Sequence, residues 1–362
     1  MTDSTDFSGT RPIAPEHAFD HAALATFMRD HVDGFSGELA LAQFKGGQSN
    51  PTFRVSAGGK RYVLRRKPLG VLLPSAHAVD REFRVISALA KTDVPVARAY
   101  ALCEDLSVIG SAFYIMDCVE GRILWDPSLP DMNNRDRAAH YDEMNRVMAA
   151  LHRVDPAAIG LADFGKPGNY IERQVGRWTK LYRAAETETI DAANQLIDWL
   201  PTHFPRAAAG DDARIVHGDF RIDNVIFHPH EARILAVLDW ELATLGSPLV
   251  DFAYHCLVWH MKNGNGSRGL AGLDVAALGI PTEAEYLQRY MQRSRRDAAS
   301  RVSADNWNYY LVFNMFRLVG ILQGIMARVL QGNASSERAL EAGRRARPLA
   351  EQAWALAQTI KR

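Results

Sequence analysis

The chain is poor in cysteine. Its three cysteines, Cys103, Cys118 and Cys256, are scattered and odd in number. That excludes a disulfide framework and a paired zinc spacing, and it points to a reducing compartment. An excess of charge is missing too: 42 Lys and Arg balance 42 Asp and Glu. Nothing global therefore draws the chain to nucleic acid. The opening stretch MTDSTDFSGTRPIAPEH lacks the apolar core of a signal peptide. The longest apolar run, Trp307 to Leu330, is broken by Asn308, Asn314, Arg317 and Gln323, which favours a buried helix over a membrane span. No internal repeat or low-complexity stretch occurs. What is left is a soluble cytoplasmic protein of ordinary composition, 47% hydrophobic and 23% charged, long enough for two domains.

The pattern along the chain changes once. Residues 1–17 are expected to be disordered. HAALATFMRDHV then has helical spacing. ELALAQFKGGQSNPTFRVSAGGKRYVLRRKP reads as three strands separated by two Gly-containing turns. SAHAVDREFRVISALAKT is a helix, with Ser75 as its cap and Val79, Phe83, Ile86 and Ala90 as its apolar stripe. VPVARAYALCED and SAFYIMDCVEG add two strands. Residues 18–118 thus form a small lobe with a five-stranded antiparallel sheet. Residues 119–362 form a larger, mainly helical lobe. The fold class is α+β with two lobes.

One segment, residues 215–254, sets acidic groups beside apolar runs: IVHGDFRIDNVIFHPHEARILAVLDWELATLGSPLVDFAY. Unpaired carboxylates are costly in a core, so a metal ion, a proton in transit or hydrogen bonds must compensate them. His217, Asp219 and Asn224 stand in the order H-x-D-x-x-x-x-N, which suits phosphoryl transfer. That reaction needs a base near the attacking hydroxyl and divalent ions near the phosphates. Asp219 would accept the proton. Asn224 would ligate Mg²⁺ through its amide oxygen, and Asp239, closing the next ribbon strand, would add a charged ligand.

HGDFRIDNVIF followed by LDWELATLGSPLVDFAY resembles the aminoglycoside phosphotransferase family, relatives of the protein kinases. It resembles still more the bacterial phosphotransferase domains and those fused to acyl-CoA dehydrogenases. The resemblance runs from about residue 40 onward and implies a protein-kinase-like fold that uses ATP and Mg²⁺. It implies a phosphate-covering loop at FKGGQSNPTFRV, with Gly46, Gly47 and Ser49 at its tip. It also places Arg65 where kinases carry a phosphate-binding Lys, with Lys67 as a neighbouring substitute. That is a departure, because a guanidinium is bulkier than an ammonium and binds phosphate in a fork. Glu82 is implied as the partner of this cation. The Asp117 carbonyl and the Val119 N–H are implied as adenine contacts in a hinge. His217 and Asp251 are expected to support the loop, His217 by donating to carbonyls and Asp251 by accepting from N–H groups.

The acceptor is implied to be a small-molecule hydroxyl compound. Aminoglycosides are polycations, yet Arg289 to Arg362 holds 13 Lys and Arg against 5 Asp and Glu. Arg317 is the one charge between Asp305 and Arg328, and its burial calls for a structural carboxylate or an anionic ligand group. Arg177, Trp178 and Tyr182 fall within one and a half helical turns and suit an apolar body with an anionic end. A hydroxy acid or hydroxyacyl thioester is therefore expected rather than an aminoglycoside. The rival readings are a true aminoglycoside phosphotransferase, a catalytically silent nucleotide-binding module, a protein kinase, and a metal-dependent hydrolase using His217, Asp219, Asp223 and Asp239. The protein kinase reading lacks G-x-G-x-x-G, D-F-G and A-P-E segments.

Overall fold

A computed structural model describes residues 9–45, 50–69, 78–166, 168–205, 213–264, 268–295, 302–332 and 337–361. Gly46, Gly47, Ser49 and Ser75 lie outside the described residues. The chain clusters into two compact units. One comprises Met1–Trp125, Ile159–Leu161 and Asp223–Ala243, and the other comprises Asp126–Ala158, Ala162–Ile222 and Thr244–Arg362.

The first unit is built on an antiparallel sheet. Its elements are β1 (Thr10–Arg11), α1 (His21–His31), β2 (Ala40–Phe44), β3 (Thr52–Ala57), β4 (Lys60–Arg66), α2 (Val79–Leu89), β5 (Ala99–Cys103), α3 (Leu106–Ile109) and β6 (Phe113–Asp117). The strand order is β1-β2-β3-β4-β6-β5. Six strands form where five were expected, because β1 comes from the stretch expected to be disordered. Residues 10–17 are held by bonds to distant parts of the unit: Thr10 and Arg11 pair with Phe44 and Gln43, the Ala14 N–H donates to the Gln43 side chain, and Arg66 donates to the His17 carbonyl.

Alternation on the strands sorts side chains to two faces. Phe53, Val55, Tyr62, Leu64, Phe113 and Ile115 face one side and are closed over by Leu24 and Met28 of α1. Those two are four apart, so they share a helix face. The Asp20 carboxylate caps α1 by accepting from the Ala22 and Ala23 N–H groups. Arg65 points to the opposite face from Leu64 and Arg66, toward α2. The buried stripe of α2 is Val79, Glu82, Val85, Ile86 and Leu89, whereas the expected stripe included Phe83 and Ala90. Glu82 turns inward because Arg65 is there to receive it.

The second unit contains α4 (Asn134–Arg153), α5 (Tyr170–Ala184), α6 (Asp191–Trp199) and β7 (Arg214–Val216). The chain then supplies a two-stranded ribbon, β8 (Val225–Phe227) and β9 (Ile234–Val237), to the first unit. The ribbon had been expected with the helices. Within the first unit it is tied by the Val237 N–H donating to the Pro95 carbonyl and by reciprocal backbone bonds between Arg122 and Phe227. The helical unit resumes with β10 (Thr244–Gly246), which pairs with β7, then α7 (Pro248–Cys256), α8 (Glu283–Arg293), α9 (Ala304–Leu330), α10 (Glu337–Arg344) and α11 (Ala346–Ala357).

Helix α9 is long and apolar enough to cross a membrane by length and composition alone. Here it is packed by α5, α7, α10 and α11. Two of its buried polar residues bond within the unit: the Asn314 amide donates to the Val250 carbonyl, and the Gln323 side chain accepts from Thr187. Beside it, Phe252 of α7 stacks on Tyr290 of α8 at 3.8 Å between ring centroids. Each such fully buried aromatic contributes about 1.5–3 kcal/mol of burial.

Candidate active site

In the sheet unit the site begins with a strand pair. Arg65 on β4 lies opposite Tyr114 on β6. Its Nε is 2.8 Å from Glu82 Oε2. The Tyr114 hydroxyl donates to the same carboxylate at 3.0 Å, and the Asn50 amide donates to its other oxygen at 2.8 Å. The expected Arg65–Glu82 pair is therefore present. Burial pushes the Glu82 carboxyl up, against the opposing pull of Arg65, Tyr114 and Asn50. Burial alone would lower Arg65, but Glu82 and Asp239 outweigh it and hold the guanidinium firmly charged. Lys67, the substitute cation, lies off the strand, 3.9 Å from Asp80 and partly exposed.

Asp239 enters the same cluster. Arg65 Nη2 donates to its Oδ1 at 2.7 Å, and Glu241 sits 3.7 Å from the same nitrogen. Asp239 adopts φ 63° and ψ 60°, the left-handed region. A non-glycine residue there costs on the order of 1–3 kcal/mol. The following turn fixes it: Trp240 is buried and its indole N–H donates to the Val237 carbonyl. The ribbon brings Asn224 alongside. Val225 pairs with Val237, and the Leu238 N–H donates to the Asn224 carbonyl at 2.8 Å. An amide oxygen and a carboxylate are thus set on neighbouring ribbon positions. Such oxygen donors suit a hard divalent cation that keeps water and phosphate ligands. At the expected hinge, the Asp117 N–H donates to the Arg98 carbonyl and the Cys118 N–H to the Arg61 carbonyl.

The helical unit holds the other half of the sequence segment. The loop after β7 is His217-Gly218-Asp219. Gly218 has φ 83°, a conformation glycine adopts without steric cost. The carboxylate of Asp251, on α7, accepts from the His217 and Gly218 N–H groups, both at 2.8 Å. His152 supports it from 3.1 Å. Burial raises the Asp251 carboxyl, but His152 and His217 outweigh it and leave it below the ordinary value. Asp251 fills its expected role. His217 also braces the loop through its ring: its Nδ1 accepts from the Asp219 N–H at 3.1 Å. The backbone here turns back on itself, so an N–H faces the ring.

Asp219 Oδ1 accepts from the Tyr254 hydroxyl at 2.5 Å and faces Arg221 Nε at 3.3 Å. Tyr254 was not singled out in the sequence. Its spacing from Asp251 was the available signal, since residues three apart on a helix share a face. Arg317 is buried, as its setting in α9 implied. Among the described residues its hydrogen-bond partner is a carbonyl and not a carboxylate: Nη2 donates to the Gly218 carbonyl at 2.6 Å, and the guanidinium lies 4.6 Å from the Tyr254 ring and 5.4 Å from the Trp178 ring.

Of the expected acceptor residues, Arg177 is exposed and Trp178 half-buried. Tyr182 is wholly buried and packs near Gly320 of α9, so it belongs to the core. An open groove of about 930 Å³ runs along α5, where Arg173, Arg177 and Lys180 outnumber Glu172. Among the described residues, no group of three His, Cys, Asp or Glu comes together to hold a metal.

Comparison with known proteins follows the same outline. The model of the phosphotransferase enzyme family matches residues 40–297. The chain is 47% identical over 347 residues to mouse acyl-CoA dehydrogenase family member 10, covering 95% of this chain and 32% of that protein. It spans less than half the length of the curated relatives it matches. A crystal structure of a Ralstonia eutropha JMP134 protein, provisionally called an aminoglycoside phosphotransferase, is similar with TM-score 0.87 and 57% identity, covering 95% of this chain and 100% of that one. A thermostable mutant of aminoglycoside phosphotransferase APH(4)-Ia, solved with AMP-PNP and hygromycin B, shares the fold at TM-score 0.56 and 18% identity, over 91% and 98% of the two chains.

Proposed function

Because the chain belongs to the phosphotransferase enzyme family, we propose that it moves the γ-phosphoryl group of Mg·ATP to a hydroxyl of a small molecule. The observation that carries this reading is the pinned loop: Asp219 follows two residues whose N–H groups are both held by Asp251. A base held at a defined place is what the reaction requires, since phosphoryl transfer depends on positioning and charge stabilisation.

In this reading Asp219 accepts the proton of the attacking hydroxyl. Asn224 and Asp239 hold magnesium, which when bound neutralises charge on the phosphates. Arg65 offers its fork to phosphate oxygens while Glu82 holds it in place. Use of ATP is supported by AMP-PNP in the related aminoglycoside phosphotransferase structure. We assign the acceptor to neutral or anionic hydroxyl compounds, such as a hydroxy acid or hydroxyacyl thioester. The cations of the α5 groove and the basic C-terminal helices support this over an aminoglycoside.

A silent nucleotide-binding module is the second reading. One observation favours it: Arg65 already occupies the Asp239 carboxylate. ATP consumption with Mg²⁺ over a panel of hydroxy acids, hydroxyacyl thioesters, polyols and kanamycin separates the two. Turnover on an anionic member, with kanamycin poor, is the expected result. Asp219→Asn should lower that turnover by about 10²–10⁴-fold while ATP binding survives. No turnover with any acceptor selects the silent module, and efficient kanamycin phosphorylation overturns the acceptor class.

A further inference from the structure

The Asp219 carboxylate has a dedicated holder. Tyr254 lies on α7 three residues after Asp251, on the face that reaches the His217–Asp219 loop. One helix therefore binds the loop twice, by a carboxylate on its N–H groups and by a hydroxyl on its side-chain carboxylate. Tyr254 is buried. Burial first, and Asp219 second, push its phenol well above the ordinary range. It stays an O–H donor at neutral pH, and the bond runs one way.

Arg317 completes the arrangement. It gives one N–H to the carbonyl of Gly218, the residue before Asp219, and sets its guanidinium carbon over the ring of Tyr254, 4.6 Å from the ring centre. Its other ring neighbour is Trp178. The Nε of Arg317 is buried without a hydrogen-bond partner. A guanidinium is thus a poor choice for simple filling here, and its place over two aromatic rings accounts for it better.

We propose that Tyr254 is a positioning residue for Asp219, orienting the carboxylate with its hydroxyl, and that Arg317 holds both the tyrosine ring and the loop in register. The proposal rests on the reading of Asp219 as the base. Hydrolysis of Mg·ATP with water as acceptor is the probe, because it needs no identified acceptor. In that reaction the water oxygen bonds to the γ-phosphorus, the bond to the ADP oxygen breaks, and the water proton passes to Asp219 and then to solvent.

The test is a double-mutant cycle of Tyr254→Phe and Asp219→Asn. Tyr254→Phe keeps the ring for Arg317 and removes only the hydroxyl. It should lower kcat by about 10–100-fold, as misplacement of a reacting group does, with KM for ATP little changed. In the Asp219→Asn background the same change should alter kcat by no more than about twofold, because the two residues act as one unit. A kcat for Tyr254→Phe equal to the parent's, or an equal loss in both backgrounds, overturns the proposal. Full turnover by Asp219→Asn instead removes the base assignment itself, and the proposal with it. Where Tyr254→Phe melts below the assay temperature, Arg317→Lys carries the same cycle, because it keeps the charge and loses the guanidinium that bonds the Gly218 carbonyl.

Discussion

Arg65 in the sheet unit is compensated by the carboxylates of Glu82 and Asp239, and Arg317 in the helical unit by a carbonyl oxygen and two aromatic faces. Both are buried cations, and the difference follows what surrounds them. Arg65 sits in a cluster of opposite charge, one member of which, Asp239, is a third exposed in its side chain. A ligand that brings phosphate and a divalent cation can exchange partners there without leaving a charge bare. Among the described residues Arg317 has no carboxylate to exchange. It secures backbone and rings, so it is fitted to keep a loop in place. Backbone and aromatic partners recur at two other buried titratable groups of the helical unit. Asp251 binds N–H groups, and His255 is kept neutral between the Phe220 carbonyl and the Tyr286 hydroxyl.

Removing Arg65 should break this contrast most severely. Arg65→Ala leaves Glu82 buried and uncompensated, and a broken buried pair costs about 3–5 kcal/mol. Urea melts should show the loss, and Glu82→Gln in the same chain should return part of it. No change in the melt would mean that the pair does not stabilise the unit.

The helical unit should reveal itself through pH. Burial pushes His255 down to about 4, whereas an unfolded histidine titrates near about 6.5. Between those values the unfolded chain binds more protons than the folded one, so stability is complete above about 6.5 and is lost as pH falls toward about 4. The contribution is about 3 kcal/mol. Thermal melts at pH 7 and 4.5 should lie closer together in His255→Gln than in the parent. An equal gap in both would assign the acid loss to other groups.

Asp239→Ala sharpens the exchange idea. It should raise the Mg²⁺ concentration for half-maximal turnover by at least the roughly 10–100-fold typical of losing even an outer support of a metal site. Asn224→Ala should do the same more mildly, its oxygen being uncharged. Unchanged Mg²⁺ dependence in Asp239→Ala would remove both residues from the metal site. The smallest effect belongs to Arg65→Lys, which keeps the charge. Its ATP KM should stay within about tenfold of the parent's, a cost near 1.4 kcal/mol, while Arg65→Ala exceeds it. If Lys67→Ala raises the ATP KM and Arg65→Ala does not, the phosphate-binding cation is Lys67.

Much of the fold was legible because it depends on short-range pattern. Alternation marked β3 to β6, helical spacing marked α1, α4 and α5, and the Gly-containing turn after β3 marked its hairpin. Contacts that cross the chain without a pattern were not legible. β1 is two residues long and exists because Phe44, Gln43 and Arg66 hold its stretch. The buried face of α2 was misjudged because a charged residue, Glu82, turned inward to meet a charge on a strand.

By itself the sequence determined the two-part architecture and the order His217, Asp219, Asn224, Asp239, since spacing is a property of the chain, while the pairing of Arg65 with Glu82 followed from the family resemblance. Only the tertiary structure decided which partner each buried charge takes. Arg317 took a carbonyl and two rings instead of a carboxylate, and Tyr182 went to the core instead of the acceptor groove. Asp219 received its tyrosine from a helix 35 residues away in the chain. The physical reason is that a hydrogen bond is set within a few tenths of an ångström, and the helix packing that brings such atoms together is a property of the assembled core.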